Sequence, residues 1–322
     1  MAELFDRIMA AHEGIRPDVP VTALEHSAHL SARVGCEVWL KTEHLMPTGS
    51  FKVRGAANKI RTLGPHARAA GVLTASTGNH GLGVAHAGAL AGVEVTVYVS
   101  DRAVRSKITA IEALGAKVVE FDGPPLAAEL EARRQSELLG KPYVAPYNDF
   151  DTMAGQGTIG VELSEQAAEL DAAFVCVGGG GLVGGVGTAL KKLSPRTRVV
   201  GVWPEASRVM LDSLLAGRIV ETPEYETLSD GSSGAVEQGS VTFPVCQQVI
   251  DETVTVGEDE IAAAMRLVAE GERWIVEGSA GVAVAGLLKS AAGYRGRKVA
   301  VVLCGRNIAL PTFLAAVGTV RI

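Results

Sequence analysis

Excess charge of one sign, aromatic side chains and paired cysteines are all scarce in this 322-residue chain. Its 30 Lys and Arg against 36 Asp and Glu give a formal net charge of -6, which offers no basic field to a nucleic acid or an anionic membrane. The four cysteines, Cys36, Cys176, Cys246 and Cys304, are widely spaced and form no Cys-x-x-Cys pair, the pattern of reduced thiols in a cytoplasmic protein. Acids at Glu3 and Asp6 stand where a secretory leader would be basic. Residues 172–190 carry no charge, yet their seven glycines argue for a buried strand and a ligand loop rather than a membrane span. There is no G-x-S-x-G elbow, H-E-x-x-H helix, Walker A loop or S-x-x-K pair, so the commoner hydrolase and nucleotide chemistries lack their signatures. What remains is small-molecule chemistry in a soluble protein.

Glycine and small apolar residues are abundant: 38 glycines and 47% hydrophobic residues with only 5% aromatic fit helices packed closely on a buried parallel sheet. The length exceeds the usual single domain. From Gly71 a strand, loop and helix rhythm repeats, with strands at Val72–Ala75, Val93–Val99 and Lys117–Phe121 and helices at Leu82–Ala91, Val104–Leu114 and Leu126–Leu139. Such a sheet binds ligands beyond the carboxyl ends of its strands. Further strands are expected at Glu37–Thr42, Ala173–Val177, Val199–Trp203 and Lys298–Leu303, and a helix at Glu258–Glu272. His26 and His29 sit at helical spacing, but no third ligand motif accompanies them and a solvated face explains them.

Three loops carry the chemistry. In Thr48-Gly49-Ser50-Phe51-Lys52-Val53-Arg54-Gly55 a lysine stands between an aromatic and a β-branched residue, with Thr48 or Ser50 expected to cap the helix that follows. A lysine held dry there has a lowered pKa and can attack an aldehyde, whereas a lysine at a helix start is ordinarily solvated. Ser76-Thr77-Gly78-Asn79-His80-Gly81 precedes a helix and offers hydroxyls and free amides to a carboxylate or phosphate; turn and cap residues explain it equally well. Gly178-Gly179-Gly180-Gly181-Leu182 follows a strand and enters a helix, as an anion cradle does. Gly179, Gly181 and Gly184 also satisfy G-x-G-x-x-G, and Glu205 lies beyond the next strand, so a nicotinamide oxidoreductase competes, though it leaves Lys52 and the 76–81 loop without a task.

Ser50-Phe51-Lys52-Val53-Arg54-Gly55, Ser76-Thr77-Gly78-Asn79-His80, the 178–182 loop and Cys304-Gly305-Arg306-Asn307, in that order, resemble the serine/threonine dehydratases, which are fold type II, tryptophan synthase β-like pyridoxal-phosphate enzymes. The likeness runs from about Val19 to Asn307. It implies two open parallel twisted sheets covered by helices, with a small domain at 66–148 inserted in a large cofactor-binding domain formed by 1–65 and 149–322. It implies that Lys52 holds pyridoxal 5'-phosphate as a Schiff base and then serves as base at Cα, that Phe51 packs on the ring, and that Asn79 binds the phenolic oxygen. Gly178, Gly179, Gly180, Gly181 and Leu182 would cradle the phosphate, and Ser76, Thr77, Gly78 and His80 would receive the substrate carboxylate. Cys304 would face the pyridine nitrogen, where a weakly acidic thiol favours expulsion of a β-hydroxyl; a buried core thiol is the plain alternative.

The implied reaction dehydrates and deaminates a β-hydroxy α-amino acid of the L-threonine or L-serine type to a 2-oxo acid and ammonia. A larger substrate, as in the hydroxyectoine-utilisation or phenylserine dehydratases, and racemisation through Thr77 stay open. Gly81-Leu82-Gly83 replaces the family's frequent Ala-Gln-Gly, and Trp203 and Val209 stand where the serine racemase branch places cation-binding acids, so no metal is expected there. The turn-rich stretch 229–240 is expected to border the substrate side chain. The expected assembly is a homodimer, with no nucleic-acid or membrane partner.

Overall fold

The computed structural model describes residues 1–101 and 103–319; position 102 of the expected small domain and positions 320–322 of the expected large one lie outside them. Helix α1 (Ala2–Gly14) leads into strand β1 (Leu24–His26), helix α2 (Ala28–Val34) and strand β2 (Glu37–Lys41). Helices α3 (Lys52–Thr62) and α4 (Pro65–Ala70) precede β3 (Val72–Ala75), α5 (Asn79–Ala91), β4 (Val95–Ser100), α6 (Arg105–Glu112), β5 (Lys117–Phe121) and α7 (Pro125–Leu139). The chain continues through α8 (Phe150–Gln166), β6 (Ala172–Cys176), α9 (Gly181–Leu193), β7 (Arg198–Pro204), α10 (Val209–Ala216) and α11 (Thr242–Val249). It closes with β8 (Glu252–Val256), α12 (Glu258–Glu272), α13 (Gly278–Ser290), β9 (Lys298–Val302) and α14 (Leu310–Thr319).

Two sheets result. The larger has the order β1-β2-β9-β6-β7-β8, parallel except for β1, which runs antiparallel to β2 at one edge. Every residue of β6 and all but the first of β9 are buried, as strands covered by helices on both faces must be. The smaller sheet, β3-β4-β5, is wholly parallel. Each sheet has its own apolar core, that of the larger reaching from Leu30 to Phe313 and that of the smaller from Ala56 to Val144.

The start of α3 is fixed from two sides. Backbone pairing of Ser50 with Gly305 and donation from Phe51 N to Cys304 O at 3.1 Å tie the lysine loop to the end of β9. Behind it, the fully buried Arg54 donates to Glu43 at 2.7 and 2.8 Å and to Glu162 at 2.6 and 2.8 Å, while Lys41 donates to Glu162 at 2.6 Å. Burial alone would raise the Glu162 carboxyl, but Arg54 and Lys41 hold it down to about 2. The expected side-chain cap at Thr48 or Ser50 is not there. Phe51 occupies the capping position, and the buried Thr48 and Ser50 hydroxyls have no partner among the described residues, because the pairing with Gly305 already dictates the path of the chain. Helix α8 lies against α3 backbone to backbone: a Cβ at Gly155 would sit 2.4 Å from the Arg54 carbonyl oxygen.

Candidate active site

The carboxyl ends of β3, β4, β6 and β9 open onto one cavity of about 1170 Å³. Every expected site residue borders it: Phe51 and Lys52 at the start of α3; Ser76, Thr77, Gly78, Asn79 and His80 between β3 and α5; Gly178, Gly179, Gly180, Gly181 and Leu182 between β6 and α9; and Cys304 just past β9. Residues more than 250 positions apart in sequence thus share one concave surface.

Lys52 Nζ donates to the Pro146 carbonyl at 2.9 Å and stands 5.3 Å from the centre of the Phe51 ring. The side chain is half-buried, open to the cavity and otherwise packed in protein. Burial pushes the ammonium down to about 8, opposed by the nearby Cys304 and Glu277. That value leaves an appreciable neutral fraction near physiological pH, which a nucleophilic amine requires.

The quadruple-glycine turn presents its amides to the cavity because its carbonyls are occupied elsewhere. Thr242 Oγ1 on α11 donates to Gly179 O at 2.6 Å, and Gly184 N donates to Gly180 O at 2.8 Å. Among the described residues no protein acceptor takes the N–H groups of Gly178, Gly179 or Gly180. Side chains are excluded here by close approach: a Cβ at Gly179 would lie 2.5 Å from Cγ of Tyr147, and Gly180 has φ +87°. Unclaimed amides at the N-terminus of a 13-residue helix form an anion site.

Across the cavity the α5 N-terminus repeats the arrangement on a smaller scale. Ser76 Oγ accepts from Gly78 N at 3.1 Å and bends the loop. The His80 ring turns away, with Nε2 on Val144 O at 2.8 Å, and burial together with Lys52 depresses it to about 3. His80 is therefore a neutral ring, whose buried Nδ1 has no partner among the described residues.

Asn79 is held by Glu277, the residue before α13, and by the loop after β9. Its Nδ2 donates to Glu277 Oε1 at 2.8 Å and its Oδ1 accepts from Asn307 Nδ2 at 2.6 Å. Asn307 also donates through its backbone N to Glu277 Oε2 at 3.0 Å and through Nδ2 to Thr48 O at 2.8 Å. Glu277, only 4% exposed, has its carboxyl raised by burial and by Asp230 to about 7, against the donors Asn307 and Asn79. The Cys304 thiol is fully enclosed and pushed well up by burial, with Cys176 and Glu277 adding to the effect, so it remains a neutral thiol.

Glu277 is the functional neighbour that sequence reasoning passed over as a helix opener, and Tyr147 and Pro146 carried no signal at all. The side of the nicotinamide reading that needed an acid fails: Glu205 is an exposed partner of Lys289 at 3.7 Å and does not border the cavity. Trp203 is buried in the core, and among the described residues no three His, Cys, Asp or Glu side chains converge as a metal site would need.

Comparison with known proteins agrees with this geometry. Residues 15–305 match the family described as pyridoxal-phosphate dependent enzyme. The chain is 40% identical over 302 residues to the L-threonine ammonia-lyase of Thermotoga maritima, covering 94% of this chain and 75% of that protein. In structure it is similar to the processed form of threonine deaminase isoform 2 from Solanum lycopersicum, with a TM-score of 0.94 at 33% identity over 99% of this chain and 93% of the other. It is also similar to maize serine racemase, with a TM-score of 0.90 at 30% identity over 97% of both chains.

Proposed function

The chain belongs to the pyridoxal-phosphate dependent enzyme family, and from that premise we propose that it is a lyase converting a β-hydroxy α-amino acid of the L-threonine or L-serine type to a 2-oxo acid and ammonia. The observation that carries the reading is a desolvated Lys52 amine sharing one cavity with a turn of unclaimed amides.

The residues present fit pyridoxal 5'-phosphate. Lys52 would hold its aldehyde carbon, the amides of Gly178 to Leu182 its phosphate, Asn79 its phenolic oxygen, Phe51 one ring edge and Cys304 its ring nitrogen. When bound, the cofactor supplies a sink for the electron pair left at Cα. Lys52 Nζ, with a pKa near 8, is then suited to take the Cα proton once it is free of the cofactor. The 76–80 loop would orient the substrate by its carboxylate at the α5 amides, which fixes the Cα–H bond relative to Nζ. A neutral Cys304 cannot hand a full proton to a ring nitrogen, which limits charge delocalisation and favours rapid loss of the β-hydroxyl from Cα's neighbour. Water and ammonia leave in sequence; the water lost is the water regained in forming the 2-oxo acid.

On this reading 66–148 is a small domain inserted between the 1–65 and 149–322 parts of a large one, and the protein is a cytoplasmic homodimer. The four free, buried thiols support the location, and sedimentation would test the assembly.

The test is Lys52→Ala. The purified wild type should show a visible Schiff-base absorption band and release 2-oxo acid from a β-hydroxy amino acid. The variant should lose the band and lower the rate by on the order of a thousandfold. A variant that retains both would refute the assignment.

A further inference from the structure

The cavity of about 1170 Å³ has to hold the cofactor beside Lys52 and the 178–182 turn as well as the amino acid, and its lining extends beyond them to the 232–235 strap and to the starts of α6 and α7. That outer part has a definite chemistry. One wall is the strap Ser232-Ser233-Gly234-Ala235, made of the smallest side chains, and the Cβ position at Gly234 meets nothing within 4 Å. The opposite wall carries Val104 before α6 and Leu126 and Leu130 on α7, which border the cavity yet stay 59%, 65% and 58% exposed. Leu126 and Leu130 are one turn apart and so share a face. Leu82 adds a further apolar side chain from α5, one turn beyond Asn79. Large apolar groups left unburied on one side and a strap stripped of bulk on the other leave a slot that neither wall fills.

The charges at the rim narrow what enters the slot. Arg133 donates to Glu129 at 2.9 Å and to Glu237 at 2.7 Å, and Lys107 stands 3.8 Å from Asp230. Among the described residues these two cations of the outer cavity are thus engaged by carboxylates, and Glu224 adds one more acid. Among the described residues an anionic group in the outer cavity would meet these acids and no cation that is free of a carboxylate.

We propose that the preferred substrate is a β-hydroxy amino acid whose β-carbon carries an uncharged group larger than methyl, seated between the 232–235 strap and the Val104, Leu126 and Leu130 wall. This rests on the lyase reading above and specifies its substrate class.

The experiment measures 2-oxo acid release by the cofactor-loaded enzyme from L-serine, L-threonine, 3-hydroxyleucine, threo-3-phenylserine and threo-3-hydroxyaspartate. The expected result is a kcat/KM for 3-hydroxyleucine or phenylserine at least about tenfold above that for threonine, and little turnover of hydroxyaspartate. Ala235→Leu, and separately Ser233→Leu in case either variant folds poorly, should lower the ratio of large-substrate to threonine kcat/KM by about fivefold or more. Preference for threonine, serine or hydroxyaspartate overturns the inference and leaves the lyase reading standing. If an enzyme showing its cofactor band releases no 2-oxo acid from any of the five, the lyase reading fails and the substrate class falls with it.

Discussion

Lys52 and Glu277 are the two side chains on the cavity whose pKa values the protein has brought closest to neutral pH, and each makes a measurable demand. An amine with a pKa near 8 is half neutral there, so the rate at which cofactor-free protein captures an aldehyde should rise with pH through about 8. Stopped-flow absorbance would follow it, and a profile flat between pH 7 and 9 contradicts the desolvation argument. Glu277 works in the opposite sense. Its carboxyl titrates near 7 when folded against an ordinary 4.5, so between those values the unfolded chain has released a proton that the folded one retains. Stability contributed by this group therefore falls as pH rises from about 4.5 to about 7 and is level above, a difference on the order of a few kcal/mol. Urea denaturation of wild type and Glu277→Gln across that window should show the gap between them changing with pH; a constant gap would place the titration elsewhere. Lys52 stood out in the sequence because its neighbours are odd company for a charge and because three further motifs follow it in order. Glu277 was not, because nothing in Glu277-Gly278-Ser279 signals that Asn79, nearly 200 positions earlier, will be its partner.

Among the elements, α3 and α8 decide where the lysine points. Helix α8 was not recognised in the sequence at all, and Gly155, Gly157 and Gly160 are residues that weaken a helical pattern. Their small size is what lets the helix lie directly on its neighbours, and intrinsic propensity gives way to packing. Gly155→Ala should cost about 1–3 kcal/mol by forcing α3 and α8 apart. Thermal melting would register the loss, and 2-oxo acid release should fall as well because α3 carries Lys52; an unchanged melting point would mean that the helices are not so tightly apposed. Arg54 offers a second lever. Arg54→Met leaves the buried Glu43 carboxylate without an ion pair among the described residues, while Glu162 keeps Lys41 and Arg16, and should destabilise the protein by about 3–5 kcal/mol. Where elements were legible, local pattern and tertiary demand agreed: β5 and α12 begin and end as their residues suggest, Lys117–Phe121 and Glu258–Glu272. The missing cap at Thr48 or Ser50 shows the reverse, a local rule displaced by pairing with a residue 255 positions away.

Taken whole, the molecule is unevenly built. The inner strands β6 and β9 of the larger sheet are buried on both faces, whereas β5 at the edge of the smaller one has no buried residue. Amide hydrogen exchange should accordingly be faster in β3, β4 and β5 than in β6, β7 and β9, and equal protection would argue against 66–148 behaving as a separate unit. The strand order carries one more consequence. Strand β9 lies between β2 and β6, so it joins two groups of strands that have no other link within the sheet. During translation both groups leave the ribosome long before Lys298 does, and until then each exposes an unpaired inner edge of the kind that favours aggregation. A nascent chain of this protein must wait, half-built, for a late segment that brings with it the Cys304 wall of the cavity, so a ribosome stalled before that point holds a chain unable to complete either its sheet or its cavity.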